Sequence, residues 1–187
     1  MRVRLCEAAA RRLAAAGYHR TSIQQVVEEA GASPGALLHH FPSKEDLIAA
    51  TAAHLLTRSV KWFARAKADL GSRRGFAAVI RRSWKEQFQS PEYAALLEIL
   101  LAARTEPTLA ARLEPLLEAW RADVEAELTD LLPSDLKRRQ LDAILTISRC
   151  LMTGLVVQDS LAGDRQRMEA SIDAWLELLE GPASRIR

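Results

Sequence analysis

Between Thr21 and Leu47 the sequence, TSIQQVVEEAGASPGALLHHFPSKEDL, packs three helix starts and one helix stop into a short span, which leaves few folds open. Thr21 with Gln24 fits a capping box, in which the hydroxyl accepts from an early N–H and the amide side chain reaches back. The following residues Ile23, Val26, Val27 and Ala30 make one apolar stripe at helical spacing, with Gln24, Gln25, Glu28 and Glu29 opposite. Gly31 suits the left-handed position that ends a helix, and Ser33-Pro34 suits the start of the next. A turn of about three residues between two helices makes them cross steeply. The second helix, Pro34 to about His40, carries no acidic residue and is ended by Pro42. Ser43 and Asp46 form another capping box, opening a long helix at Lys44 that runs to about Leu70.

This is the pattern of a helix-turn-helix with a supporting helix. In such a motif the N-terminal part of the second helix faces base edges in the major groove. Ser33, Pro34, Gly35 and Ala36 let the backbone approach closely, and His39 and His40 read as groove or phosphate contacts, with a core or surface role as the alternative. Thr21, Ser33 and Lys44 are expected to grip phosphates and set register. Small side chains make few hydrogen bonds, so DNA shape and methyl contacts are expected to share the specificity.

Charge supports this reading. Residues 1–85 hold 15 Lys and Arg against 6 Asp and Glu, a net of +9, whereas residues 86–187 hold 11 against 18, a net of −7. A polyanion would meet the first half. The 187 residues, 49% apolar, can bury a full core. Cys6 and Cys150 have no metal-type spacing and suit a reducing cytoplasm. Charges interrupt the N-terminus too early for a secretory signal, and no uncharged apolar run approaches the roughly 18 residues of a membrane span. A cytoplasmic protein without membrane contact is expected.

Residues 2–57 resemble the DNA-binding domain of TetR-family transcriptional regulators, in RVRLCEAAARRLAAAGYHRTSI, in VVEEAGASPGALLHHFPSKEDLI and in the spacing between them. Gly17-Tyr18, Thr21, the AGAS turn, Gly35, His40-Phe41 and Ser43-Lys44 match in order. Two positions depart. Leu38 stands where the family usually has a Tyr that bonds a phosphate, and Arg12 occupies a usually apolar place in the first helix, its stem packing while the guanidinium snorkels. The resemblance implies an all-α fold with a helix-turn-helix domain over residues 1–47 and a helical effector-binding and dimerisation domain over 48–187.

The rest of the chain reads as helices, with no sustained period-two alternation. A first helix, Val3 to Ala16, ends at Gly17; Tyr18 is read as a core aromatic. GSRRG, residues 71–75, is a turn and a candidate domain boundary. Helices follow from Phe76 to Gln89, Glu92 to Arg104, Pro107 to Leu132 with a break near Pro115, Pro133-Ser134-Asp135 to Leu161, and from Gly163-Asp164 to Gly181-Pro182. The last two long helices carry wide apolar stripes, including Ile144, Ser148, Leu151, Leu155, Ile172, Trp175, Leu176 and Leu179, and the resemblance implies a four-helix homodimer interface there. The alternative is that these stripes complete the monomer core. The resemblance also implies an effector pocket for a small, mostly apolar molecule, drawn from Trp84, Gln87, Phe88, Leu97, Leu100, Leu101, Arg104, Leu117, Trp120, Arg149 and Met152. Gln87, Arg104 or Arg149 would anchor its polar part, unless Arg149 pairs with Asp159 or Glu98.

Enzyme chemistry finds no footing. His19, His39, His40 and His54 lie in the N-terminal part with no carboxylate at metal-ligand spacing, and no phosphate loop or nucleophile elbow is present. No cofactor, metal or catalytic residue is expected. The sequence therefore predicts a ligand-responsive repressor binding a palindromic DNA operator as a dimer, with a helical protein-binding adaptor or a ligand-binding bundle without DNA binding as the alternative.

Overall fold

A computed structural model describes residues 1–70, 75–131 and 138–180. Among the described residues the chain is helical without strands: α1 (Arg2–Ala16), α2 (Ile23–Ala30), α3 (Pro34–His40), α4 (Lys44–Leu70), α5 (Gly75–Ser83), α6 (Pro91–Ala103), α7 (Pro107–Leu128), α8 (Arg138–Ala162) and α9 (Arg165–Glu180). Residues 71–74 of the GSRRG turn, the Pro133-Ser134-Asp135 helix start and the Gly181-Pro182 stop lie outside the described residues.

Contacts group the chain into two compact units, one of residues 1–62 and 90–124, the other of residues 63–89 and 125–187. The first unit therefore joins the helix-turn-helix to α6 and most of α7, although they lie far apart in sequence.

In this unit α1 is buried on two sides. Leu5, Cys6, Ala8 and Ala9 pack with Val26, Val27 and Ala30 of α2, Leu37 of α3, and Phe41 and Leu47. Ala10 and Leu13 pack instead with Tyr18, with Ile48, Ala52, Leu55 and Leu56 of α4, and with Ala95, Leu96, Ile99 and Ala102 of α6. Alanines on α1 let its neighbours approach from both directions. Tyr18 is buried, as the sequence predicts. Ser90 caps α6 by accepting from the Tyr93 N–H at 3.1 Å, with Pro91 at the first helical position. The break expected at Pro115 does not occur: α7 runs through it. Ala111 and Pro115 are both exposed, so the carbonyl that loses its helical donor faces solvent rather than a dry core.

In the second unit the helix expected from Phe76 to Gln89 changes character partway. Past Ser83 the backbone widens into a π-helical turn over Trp84–Phe88, closed by the Gln89 N–H on the Trp84 carbonyl at 3.3 Å. α8 packs against α9 and against this turn. Met152, Leu155, Met168, Ile172 and Leu176 are buried, and the Trp175 indole N–H donates to the Ser148 hydroxyl at 2.9 Å.

Candidate nucleic-acid interface

Local chemistry sets the geometry of α2 and α3. Gly31 adopts φ 57° and ψ 42°, the left-handed conformation anticipated for the turn, and the Arg4 guanidinium donates to the Ala30 carbonyl at 2.5 Å at the same helix end. The cap of α2 is displaced by one residue from its predicted place. Ser22 accepts from the Gln25 N–H at 3.3 Å, and the Gln25 side chain accepts from the Ser22 N–H at 3.0 Å. Thr21 is 2% exposed and its hydroxyl donates to the Gly17 carbonyl at 2.8 Å. Its expected grip on a phosphate is therefore corrected, because the side chain is committed to the loop beneath α2. Ser22, one residue on, is the exposed hydroxyl at that helix start.

Ser33 caps α3 as expected, accepting from the Ala36 N–H at 3.2 Å. Leu37 is fully buried and anchors the helix on α1 and α2. Pro34, Gly35, Leu38 and His39 are exposed and share the outward face at helical spacing, whereas Ala36 and His40 are half-buried. His40 lies between the rings of His39, 5.3 Å away, and Phe41, 6.3 Å away. A β-carbon added to Gly35 would meet nothing within 4 Å, so no intramolecular contact demands a glycine there.

Lys44 departs most from expectation. Its ammonium donates to the Tyr18 carbonyl at 3.0 Å and sits 4.1 Å from the centre of the Tyr18 ring. Partial burial pulls its pKa below the ordinary lysine value, opposed by Glu45 and Glu106. It ties the start of α4 to the end of α1 and does not project as a free phosphate contact. The Ser43–Asp46 box forms as predicted, the Ser43 hydroxyl donating to Asp46 at 2.7 Å and accepting from the Asp46 N–H at 3.1 Å. Arg112 of α7 donates to the same carboxylate at 3.0 Å.

Several basic residues of the N-terminal half serve the fold itself. Arg11 pairs with Glu29 at 2.7 Å, Arg12 approaches the other oxygen of Glu29 at 3.9 Å, and Arg2 lies 5.1 Å from the Phe41 ring. Sequence position alone carries no sign of these pairings, since each joins residues distant along the chain.

The residues expected at an effector pocket fall in both units. In the first, Leu100, Leu117 and Trp120 are partly buried against the α1–α4–α6 core and Leu97 is half-buried, but Leu101 and Arg104 are exposed, which removes Arg104 as an interior anchor. In the second, Trp84 and Met152 are buried, Gln87, Phe88 and Arg149 are half-buried, and the Ser83 hydroxyl lies 3.9 Å from the Met152 sulfur. The Trp84 indole N–H has no hydrogen-bond partner among the described residues. Glu98 accepts from the Tyr18 N–H at 3.2 Å, so its carboxylate serves the Gly17-Tyr18 turn.

The stripe expected at a dimer interface is largely internal. Ser148, Leu155, Ile172 and Leu176 are buried within their own unit, and Ile144, Leu151, Trp175 and Leu179 are half-buried. The faces left uncovered run one position aside: Ala143, Ile147, Cys150, Gly154, Val157 and Leu161 on α8, and Ala170, Ala174 and Leu178 on α9. The span Gln140–Asp159 is apolar enough by length and composition to cross a membrane, with mean hydropathy 1.4 and only 22% of its window buried. Among the described residues no group of three or more His, Cys, Asp or Glu could hold a metal ion.

A capped seven-residue helix held over two others, with Pro34, Gly35, Leu38 and His39 outward, is the arrangement of a helix-turn-helix protein. The model for the N-terminal domain of bacterial regulatory proteins of the tetR family matches residues 5–51 of this chain. It is 31% identical over 103 residues to an HTH-type transcriptional regulator of Mycobacterium tuberculosis, covering 55% of this chain and 53% of that relative. The chain thus aligns with about half the length of that relative. A second Mycobacterium tuberculosis protein, an HTH-type transcriptional repressor, is 28% identical over 188 residues, 92% of this chain and 89% of the relative. Among solved structures, a transcriptional regulator from Rhodococcus sp. Rha1 has the same fold, with a TM-score of 0.75, 19% identity and 96% of both chains covered.

Proposed function

We propose that the protein is a transcriptional repressor that binds duplex DNA as a homodimer through α3 and leaves it when a small, mostly apolar effector binds the C-terminal helices. The observation that carries the DNA-binding part is the outward face of α3, where Pro34, Gly35, Leu38 and His39 are exposed on a helix fixed by Ser33 and Leu37. Ser22 and Ser33 at exposed helix starts are suited to phosphate contact, and the basic N-terminal half favours a polyanion.

Dimerisation is supported by the uncovered seam of α8. Ala143, Ile147, Cys150, Gly154, Val157 and Leu161 alternate at spacings of four and three, as in a helix that packs along its length against another. Ile147, Val157, Leu161 and Leu178 are 48%, 43%, 84% and 76% exposed, a large apolar surface for a protein without a partner. A second copy would cover it symmetrically, and two heads would then address two half-sites.

The effector reading is supported by Trp84. A buried donor without an acceptor costs about 1–3 kcal/mol, and a ligand carrying an acceptor would remove that cost. It stands at the start of a π-helical turn, a feature frequent at functional sites.

The test is selection of bound duplexes from fragmented genomic DNA, followed by gel shift. Enrichment of palindromic sites by a dimeric species is the expected result. Binding no better than to random duplex would refute the reading.

A further inference from the structure

Leu38 is 58% exposed on α3, while Leu37 beside it is fully buried. It follows Pro34 by four residues and Gly35 by three, so the three lie on one side of the helix. Gly35 is unexplained by the fold: its φ is not positive, and a β-carbon would meet open space, although glycine costs about 1 kcal/mol against alanine inside a helix. The outward face is therefore low at Pro34 and Gly35, and from it project the isobutyl group of Leu38 and, next to it, the imidazole of His39. No hydrogen bond from Leu38 can reach a phosphate or a base edge, because the side chain has neither donor nor acceptor.

In the major groove the apolar feature that a base pair presents is the 5-methyl of thymine; the other edges are donors and acceptors. We infer that Leu38 is a specificity-determining residue that packs on a thymine 5-methyl in each half-site, with Gly35 admitting the backbone closely enough for that contact. This rests on the DNA-binding reading above. A sugar or phosphate neighbour for Leu38 would give no dependence on the methyl, which separates the two environments.

The experiment takes a duplex selected by the full-length protein and replaces the thymines of one half-site, one at a time, by deoxyuridine, which removes only the methyl. Binding is measured for the wild type and for Leu38→Ala, whose exposed position leaves the fold unaltered; unchanged thermal unfolding checks this. At one thymine the replacement should weaken wild-type binding about fourfold, the share of one buried methyl, and leave Leu38→Ala unaffected. Equal losses for both proteins at every thymine, or a Leu38→Ala variant that binds like the wild type, would overturn the assignment while DNA binding stands. Failure to select any duplex would overturn DNA binding and this inference with it.

Discussion

The Glu98 carboxylate of α6 accepts a hydrogen bond from the Tyr18 N–H at 3.2 Å, and it lies where a β-carbon on Gly17 would come within 2.8 Å of it. Gly17 itself adopts φ 78° and ψ 172°, a region open essentially to glycine alone. A turn closing the first helix is thus locked to a helix some eighty residues later. Gly17→Ala should lose about 1–3 kcal/mol through backbone strain and the clash with Glu98. Adding Glu98→Ala should relieve only the clash, leaving the double variant below wild type in urea unfolding; full recovery would show that backbone strain is negligible there.

Lys44→Ala should destabilise the protein by about 1 kcal/mol, since it removes the hydrogen bond to the Tyr18 carbonyl and the cation over the Tyr18 ring. The salt dependence of DNA binding should keep its wild-type slope. A slope reduced by about one phosphate's share would return Lys44 to the role suggested by its position in the sequence.

Asp46 supplies a pH prediction. The Ser43 hydroxyl, then Arg112, hold its carboxyl below the ordinary value of 3.8. The folded state therefore binds this proton less readily than the unfolded chain. The stabilisation is present above the ordinary value and is lost as pH falls through the lower, folded value. Asp46→Asn should flatten the acid limb of the unfolding midpoint plotted against pH; an unaltered limb would mean that the contacts do not favour the charged form.

Gly35→Ala should raise stability by about 0.5–1 kcal/mol, because alanine is the better helix former and the added methyl meets open space. Operator affinity should fall in the same variant. A stabilised protein with undiminished affinity would mean that no close approach occurs at Gly35.

On α8 and α9, two kinds of apolar residue should separate cleanly. Ile147→Glu, on the uncovered seam, should convert dimers to monomers on size exclusion with helicity kept. Ile172→Ala, at 1% exposure, should instead cost about 2–4 kcal/mol of stability. A dimeric Ile147→Glu variant would move the interface elsewhere.

Signals confined to neighbouring residues were readable from the sequence: the left-handed Gly31, the Ser33-Pro34 start of α3 and the Ser43–Asp46 box recur in the structure. The one-residue error at the cap of α2 came from two adjacent hydroxyl residues with suitable partners, Thr21 with Gln24 and Ser22 with Gln25. Only the fold distinguishes them, by burying Thr21 over the Gly17 carbonyl. The burial of Ser148, Leu155, Ile172 and Leu176 was not legible for a similar reason: helical spacing shows that α8 and α9 have apolar sides, not which side meets its own neighbour. The Trp175–Ser148 bond turns one of those sides inward.

The order of residues by itself determined that α2 and α3 are capped helices joined by a tight left-handed turn, because caps, glycines and prolines act through bonds a few residues long. Tertiary structure alone decided that Lys44 is held at Tyr18, that Glu98 closes the end of α1, and that Leu38 faces outward while Leu37 is buried. Those outcomes follow from which surfaces lose water together, and that depends on partners far away along the chain.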